Sequence, residues 1–288
     1  MDKSEINGGK NSGVQVKIDD RKSANQPRLI PCWNSVMMFH TTKNGHKIWY
    51  ELGGNGPGIV LLHGLGGSLD SMKRIAYDLG DDYTKILVDL PCHGKSDNFS
   101  FSLRELSYEI VAIMQENDFR EFSGVGVSLG AIVLEETLFD CGDSLKNAAL
   151  ISPSSGFDNE IANMIMKWAT VPGQTAKDVF SPEFFEKHKR EIEEYENENP
   201  FLPERLAPLL SEIIEFTTTD RVSDNFVLLL IGKYDQLFGK RMLKDLRNSF
   251  PNSEYSILDS GHAIHRENPD LASKLILEFF KNYIHKQE

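Results

Sequence analysis

The chain of 288 residues carries a formal net charge of −12 and has an isoelectric point near 5.2. This length suffices to bury one large core, so we expect a single α/β domain. The acidic balance and the lack of a basic stretch interleaved with aromatic residues argue against nucleic acid as a partner and disfavour an anionic membrane surface. The longest apolar run in the sequence is far too short to span a bilayer.

Residues 1–35 are polar and lack the apolar core of a secretion signal. We therefore expect a flexible N-terminal extension on a cytoplasmic protein. Three cysteines, Cys32, Cys92 and Cys141, are widely spaced along the chain. This odd, sparse set does not fit a disulfide framework, and it lacks the spacing to histidines that a metal site needs. Reduced thiols and no metal site are predicted.

Strands and helices alternate along the chain. A hairpin is expected over 36–52, because Asn44-Gly45 is a strong turn signal. Further strands are predicted at 58–62, 84–89, 122–127 and 147–151, with helices at 69–79, 103–117, after 128 and at 269–283. This alternation predicts an α/β fold with a mostly parallel sheet, flanking helices and right-handed crossovers, built from 36–152 and 223–288.

The pattern changes between 153 and 222, where helical spacing is broken into pieces by prolines. This segment follows the sixth predicted strand and is expected to form a helical cap. Its charged run over 186–198 is typical of a solvated helix face. Apolar cap residues are candidates for the roof of a substrate pocket, with packing inside the cap as the alternative; they are Met164, Met166, Trp168, Phe184, Phe185 and Phe201. Met164 and Trp168 are the preferred substrate contacts.

The segment Gly126-Val127-Ser128-Leu129-Gly130 is the most informative motif of the chain. A serine between two glycines, after an apolar strand and before a helix, is typical of a nucleophile elbow. The turn is so tight that the serine adopts a strained conformation, and glycine on either side removes side chains that would clash. The motif alone is weakly specific. Ser128 is a candidate nucleophile when a base, an acid and oxyanion donors accompany it.

His262 and Asp235 are the candidate base and acid. His262 lies in a loop just past a short predicted strand, and an ordinary histidine pKa near 6.5 suits proton transfer at neutral pH. Asp235 follows the apolar run 226–234, which fits a buried parallel strand. The alternatives are a surface histidine and a turn or helix-capping aspartate. The order Ser, Asp, His along the chain favours the catalytic interpretation, and His265 and Glu267 are placed to support His262.

An oxyanion hole needs two backbone N–H groups aimed at one point. Leu129, directly after Ser128, is the first candidate donor, and Leu65 in the glycine-rich loop after the third predicted strand is the second. His63 and Gly64 begin that loop and are expected to contact the substrate. A phosphate-binding loop is the alternative, but the segment lacks both a dinucleotide fingerprint and a Lys-Ser/Thr ending.

Five motifs stand in a fixed order along the chain: HGLGG at 63–67, DLPCHGKSD at 89–97, GVSLG at 126–130, GKYD at 232–235 and GHAIHRENP at 261–269. With these motifs the chain resembles the α/β-hydrolase superfamily, in the group with a helical cap. The resemblance runs from about Met37 to the C-terminus with a gap at the cap. It implies that Ser128, Asp235 and His262 form a triad, with Leu65 and Leu129 as oxyanion donors. One departure is Cys92, where the family usually has glycine.

The resemblance implies a serine hydrolase that cleaves a carboxylic ester or thioester through an acyl-enzyme on Ser128, with no metal and no cofactor. Epoxide hydrolases and haloalkane dehalogenases resemble this fold but have aspartate at the elbow. Carbon–carbon hydrolases of the meta-cleavage type and cofactor-free haloperoxidase-like members share the motifs, as does a hormone-receptor type that keeps the triad with little turnover. We expect a small-molecule substrate and a monomer or homodimer.

Overall fold

The computed structural model of the protein describes residues 34–168, 174–198 and 202–284. Residues 1–33, which make up most of the predicted N-terminal extension and include Cys32, lie outside the described residues. Phe201 also lies outside them. The first strand begins at Ser35, so the hairpin starts one residue earlier than the sequence pattern indicates.

One sheet of eight strands forms the centre of the described residues. The strands are β1 Ser35–Thr41, β2 Lys47–Gly54, β3 Gly58–Leu62, β4 Thr84–Val88, β5 Phe122–Val127, β6 Leu145–Ile151, β7 Phe226–Gly232 and β8 Ser253–Leu258. Their order across the sheet is β1-β2-β4-β3-β5-β6-β7-β8. β1 and β2 form the predicted antiparallel hairpin, β2 is antiparallel to β4, and all later neighbours are parallel. The predicted mostly parallel sheet is confirmed.

Helices cover both faces of this sheet. They are α1 Lys73–Asp78, α2 Leu103–Glu116, α3 Leu129–Cys141, α4 Asn159–Trp168, α5 Gln174–Val179, α6 Pro182–Glu198, α7 Pro203–Glu215, α8 Gly239–Ser249, α9 Ile264–Glu267 and α10 Pro269–Tyr283, with a 3₁₀ turn Leu69–Met72 before α1. Buried residues of α2, α3 and α8 form one apolar cluster with one face of the sheet, and those of α1 and α10 form a second with the other face. The α/β architecture expected from the alternation is therefore confirmed.

Helices α4 to α7, which we call the insertion (Asn159–Glu215), lie between β6 and β7, after the sixth strand as predicted. The chain segments that enter and leave it meet at a β-bridge between Gly156 and Thr217. Most described residues of the charged run in α6 are exposed, whereas Ile192 is only 3% exposed. Apolar residues of α4 and α7 join the main cluster of the sheet; they include Ile161, Ile165, Leu209 and Ile213. The insertion thus shares one apolar core with the sheet.

Two buried histidines hold the loops that follow β3 and β4. His63 donates its Nδ1–H to the carbonyl of the next residue (2.8 Å), and its Nε2 accepts the Leu90 N–H (3.0 Å). His93 donates its Nδ1–H to the carbonyl two residues earlier (2.9 Å), and its Nε2 accepts the Gly66 N–H (2.9 Å). Each ring has one donor and one acceptor nitrogen, which is the neutral form. Burial lowers the pKa of His63 to about 4 and that of His93 to about 3.

The loop after β4 contains Cys92, at the position where the family that the chain resembles usually has glycine. Its backbone lies in the left-handed region, with φ 67°, and the residue is 1% exposed. A non-glycine residue in that region costs roughly 1 kcal/mol. The Sγ–H donates to the Phe99 carbonyl at 3.6 Å. The cysteine therefore occupies a backbone position suited to glycine and fills it with a buried side chain.

The first turn of α3 packs directly on β3 at Gly130. A Cβ added there would overlap the carbonyl of Leu62. We expect Gly130→Ala to lower the free energy of unfolding by about 2 kcal/mol or more, because the core is overpacked. Gly45→Ala is the control: its φ is +84°, but the added Cβ meets nothing within 4 Å. Strain alone should cost that variant about 1 kcal/mol. Urea unfolding measures both, and an equal or smaller loss for Gly130→Ala would contradict the packing argument.

The buried neutral histidines predict loss of stability in acid. Because the pKa values of His63 and His93 are lower in the folded protein than near 6.5, the unfolded chain binds more protons below that pH. Their contribution is complete above pH 6.5 and is lost by about 1.4 kcal/mol per pH unit for each histidine as the pH falls towards the folded values. His93→Gln removes one such group. Its loss of unfolding free energy between pH 7 and pH 5 should be about 2 kcal/mol smaller than that of the parent. Equal losses by urea unfolding would refute the assignment.

Candidate active site

Ser128 lies at the junction of β5 and α3, at the carboxyl edge of the sheet. Its backbone is strained, with φ 51° and ψ −109°. A Cβ added at Gly126 would overlap the carbonyl of Gly130, so the turn closes in this form only with glycine at that position. The Ser128 N–H donates to the Ile151 carbonyl (2.9 Å) and ties the turn to β6. The hydroxyl is therefore held by backbone geometry at the end of a central strand.

His262 and Asp235 form a hydrogen-bonded pair. Nδ1 of His262 lies 2.9 Å from Oδ2 of Asp235, and the two side chains are 7% and 0% exposed. Oδ1 of Asp235 accepts the N–H groups of Leu237 (2.9 Å) and Phe238 (3.0 Å). Burial alone would raise the pKa of Asp235, but the charge and hydrogen bond of His262 and the two backbone donors outweigh burial and lower it. An ionised carboxylate fixes Nδ1 as the donor and leaves Nε2 of His262 as the acceptor.

The topology brings these three residues to one edge of the sheet. Ser128 follows β5, Asp235 follows β7, and His262 follows β8. Strands β5, β6, β7 and β8 are neighbours and run parallel, so the loops after them emerge at the same edge. A base, an acid and a strained hydroxyl gathered there can carry out nucleophilic chemistry on a substrate carbonyl.

The loop after β3 lies against Ser128. A Cβ added at Gly64 would lie 3.5 Å from the Cβ of Ser128. Leu65 comes next, and Leu129 begins α3, where helix N–H groups have no acceptor within the helix. Within the described residues, neither the Leu65 N–H nor the Leu129 N–H donates to a protein acceptor. Both predicted oxyanion donors therefore have no acceptor among the described residues.

His63 requires a revision of the sequence-based expectation that it contacts the substrate. The residue is 0% exposed, and both of its ring nitrogens are occupied by backbone partners. Its side chain therefore fixes the loop through its two hydrogen bonds to the backbone. Gly64, its neighbour, is the residue of this pair that lies beside Ser128.

Met164 and Trp168, the predicted substrate contacts of the insertion, lie on α4. Both are partly buried against the main apolar cluster, which also contains Leu129. The Trp168 Nε1–H donates to Oδ2 of Asp178 (2.9 Å), which fixes the orientation of the indole. The side chain of Met166, a third candidate for the roof, lies outside what the structure describes.

Phe184 and Phe185 pack elsewhere. They belong to a separate small cluster with Phe180 and Ile192, all within the insertion, and with one residue beside His262. Phe180 and Phe184 stack with ring centroids 5.3 Å apart. For these two candidates the alternative of packing within the insertion fits better than a place above Ser128.

Two contacts of His262 have no signal in the sequence. The Ser152 Oγ–H, directly after β6, donates to the His262 carbonyl (2.7 Å). The Phe238 ring meets the imidazole edge-on, with centroids 5.2 Å apart. Both contacts depend on the order of the strands. Knowledge that β6 lies between β5 and β7 would have pointed to Ser152, but no motif or spacing does.

The sequence places His265 and Glu267 next to His262, and their environments differ. Oε1 of Glu267 accepts the Gly261 N–H (2.9 Å) and so holds the residue before His262. His265 is half-buried, and its Nδ1 is shielded from solvent without a hydrogen-bond partner among the described residues. Of these two residues, Glu267 is therefore the one that supports the loop through a polar contact.

Within residues 34–168, 174–198 and 202–284, no group of three or more histidine, cysteine or carboxylate side chains is arranged to hold a metal ion. Each helix in these ranges is too short or too polar to cross a bilayer. Cys92 and Cys141 are free thiols. The edge that carries Ser128 is the candidate site.

Comparison with known proteins identifies a family for the chain. Residues 59–273 match the Alpha/beta hydrolase family. The uncharacterized hydrolase YugF of Bacillus subtilis (strain 168) is 24% identical over 273 residues, covering 83% of this chain and 96% of that protein. The 2-succinyl-6-hydroxy-2,4-cyclohexadiene-1-carboxylate synthase of Yersinia pseudotuberculosis serotype O:1b (strain IP 31758) is 27% identical over 244 residues, covering 78% of this chain and 87% of that protein.

A solved structure shares the fold. MGS-M2, an alpha/beta hydrolase enzyme from a Medee basin deep-sea metagenome library, superposes with a TM-score of 0.78 at 18% identity, covering 85% of this chain and 97% of that chain. The family match spans most of the sequence, and the fold agrees with that of the solved enzyme. The chain therefore belongs to the alpha/beta hydrolase family.

Proposed function

We propose that the protein is a serine hydrolase that cleaves a carboxylic ester or thioester of small to medium size through an acyl-enzyme on Ser128. The observation that carries the proposal is the His262–Asp235 hydrogen bond of 2.9 Å at the same sheet edge as the strained Ser128. A hydroxyl, a base and an orienting acid are the groups that acyl transfer requires. Membership of a hydrolase family is consistent with this chemistry.

In the proposed acylation, Nε2 of His262 accepts the proton of Ser128 as Oγ attacks the substrate carbonyl carbon. The new carbon–oxygen bond leaves negative charge on the former carbonyl oxygen, which the N–H groups of Leu65 and Leu129 stabilise. The buried carboxylate of Asp235 stabilises the imidazolium that forms.

Collapse of this species breaks the bond to the leaving group, which takes the proton from His262 and departs as an alcohol or a thiol. Water then gives a proton to His262 and attacks the acyl carbonyl on Ser128. The second collapse releases a carboxylic acid and returns the proton to Ser128. These steps require neither a metal nor a cofactor.

We infer that the acyl group is apolar. We propose that the insertion acts as a cap, with Met164 and Trp168 as parts of its roof, because both pack against the apolar cluster on the face of the sheet that α3 covers. His63 binds the Gly64 carbonyl and His93 accepts the Gly66 N–H, so the two histidines fix the loop on either side of Leu65. The oxyanion donors are then preorganised, as this kind of catalysis needs.

A second chemistry is suggested by the Yersinia synthase, whose product name contains succinyl and carboxylate groups. A ligand with carboxylates is usually met by cationic side chains. In the described part of the insertion, Arg205 instead donates to the side chain of Asn98 and to carbonyls of the loop after β4. Leu65 and Leu129 beside Ser128 are uncharged. We therefore place a neutral ester or thioester first.

The first test is hydrolysis of p-nitrophenyl esters of increasing acyl length by the parent and Ser128→Ala. We expect turnover in the parent with an optimum acyl length that reports the room under the insertion. Ser128→Ala should lose about 10⁴-fold or more, because the covalent route is removed. Melting curves check that the variant is folded.

Retained ester turnover in folded Ser128→Ala would sink the proposal. No turnover of any ester by the folded parent would also count against it. Cleavage of a coloured dienoate ring-fission product would then indicate the carbon–carbon alternative, and tight ligand binding without turnover would indicate the receptor alternative.

Asp235→Asn tests the orientation of the base. The amide preserves the size of the side chain but favours the wrong tautomer of His262, so kcat should fall by about 10³- to 10⁴-fold. Asp270→Asn is the matched control, since that carboxylate is 64% exposed and pairs with Arg74 away from the site. It should retain the parent kcat. A small effect of Asp235→Asn on kcat would show that the carboxylate does not orient the base.

A further inference from the structure

The backbone around His262 is fixed by groups from outside its own loop. The Gly261 N–H donates to Oε1 of Glu267 (2.9 Å). On the other side, the Ala263 N–H donates to the carbonyl of Val179 (2.9 Å). Val179 is the last residue of α5, so this second contact comes from the insertion. The candidate base therefore sits between one contact within the sheet domain and one contact with the insertion.

Glu267 connects the same loop to the insertion directly. Its Oε1 also accepts the Ser181 N–H (3.0 Å), and its Oε2 accepts the Ser181 Oγ–H (2.6 Å). Ser181 lies between α5 and α6 and is 5% exposed. One carboxylate thus accepts hydrogen bonds from the insertion and from the residue that precedes His262. These three hydrogen bonds of Glu267, which we call the bridge, link two parts of the chain that are distant in sequence.

The bridge is closely packed. A Cβ added at Gly261 would overlap the backbone of Phe180 and Ser181, so the loop and the insertion touch through main-chain atoms. The Arg266 guanidinium lies over the Phe180 ring, 5.2 Å from its centroid. With so little space, a displacement of this corner of the insertion must move the loop as well.

The chemistry of the bridge needs two acceptor oxygens. Burial raises the pKa of Glu267 and the charge of Asp235 adds to this effect, while the hydrogen bonds from Ser181 and Gly261 oppose it. A carboxylate can accept all the donors that face it. Glutamine could keep its oxygen towards the two N–H groups and donate its NH₂ to the Ser181 hydroxyl oxygen, whereas alanine removes both acceptors and all three contacts.

We propose that Glu267 is a positioning residue that fastens the α5–α6 corner of the insertion to the loop of His262, so that the seated insertion adds to the contacts that hold the base in place. Its effect on turnover rests on the proposed function. Glu267 does not contact the candidate nucleophile or His262 itself; it acts through Gly261 and Ser181. Movement of the α5–α6 corner would then loosen the loop of His262.

The kinetic test compares Glu267→Ala, Ser181→Ala and the double variant on the best p-nitrophenyl ester. We expect kcat to fall about tenfold in Glu267→Ala and about threefold in Ser181→Ala with KM nearly unchanged, because alignment in the transition state is lost. The double variant should be no slower than Glu267→Ala, since both changes break one bridge. Glu109→Ala is the control: this carboxylate binds His40 (2.6 Å) on the far strand β1, and the variant should retain the parent kcat.

A structural readout keeps the inference independent of turnover. Hydrogen exchange of the Gly261 and Ala263 amides should be about tenfold faster or more in Glu267→Ala than in the parent, and unchanged in Glu109→Ala. If Glu267→Ala does not fold, Ser181→Ala provides the comparison. Unchanged exchange at both amides, or losses of kcat that multiply in the double variant, would overturn the bridge. Full ester turnover by Ser128→Ala would instead remove the proposed function, and the exchange result would then decide this inference alone.

Discussion

The first turn of α3 approaches β3 and β5 so closely that main chain occupies the space of side chains. Cβ atoms added at Gly126 and Gly130 would overlap the backbone of the opposite element. This contact holds Ser128 at φ 51°, and it aims the N-terminus of α3, with the Leu129 N–H, at the carboxyl edge of the sheet. The loop of Gly64 packs against the same serine. Strain of this kind persists because the surrounding core determines the backbone, so the whole candidate site depends on one backbone contact.

The buried histidines of the site and its loops differ in their hydrogen-bond partners, and these partners determine whether the ring can act as a base. His63 and His93 are buried with one donor and one acceptor contact each, and their lowered pKa values keep them neutral links between loops. His262 has a buried carboxylate, Asp235, on one nitrogen, and in the described part of the chain no backbone group binds the other. The same imidazole ring is thus a structural link in one setting and the proposed base in the other.

The elements that depend on residues close together in the chain could be predicted from the sequence. Strand β3 at Gly58–Leu62 and helix α10 at Pro269–Tyr283 follow from hydrophobic periodicity and from the proline that begins the helix. The strained turn at Ser128 follows from the steric demands on its glycines. Helix α8, Gly239–Ser249, received no prediction, although it packs beside the strand that precedes Asp235.

Contacts between distant segments could not be predicted in the same way. Ser152 binds the His262 carbonyl across 110 positions, and Ser181 binds Glu267 across 86. Such pairs depend on strand order and on the seating of the insertion, neither of which leaves a periodic pattern. The burial of His63 was missed for a related reason: its neighbour Gly64 faces the site, and sequence alone does not indicate which way a loop side chain turns.

The most direct measurement of the central claim is the mass of the intact protein after a rapid acid quench of its reaction with an activated ester, followed by peptide mapping. The account predicts one acyl group per chain, located on Ser128, and loss of the adduct as product forms. An adduct on another residue, or ester turnover without any adduct on Ser128, would contradict it.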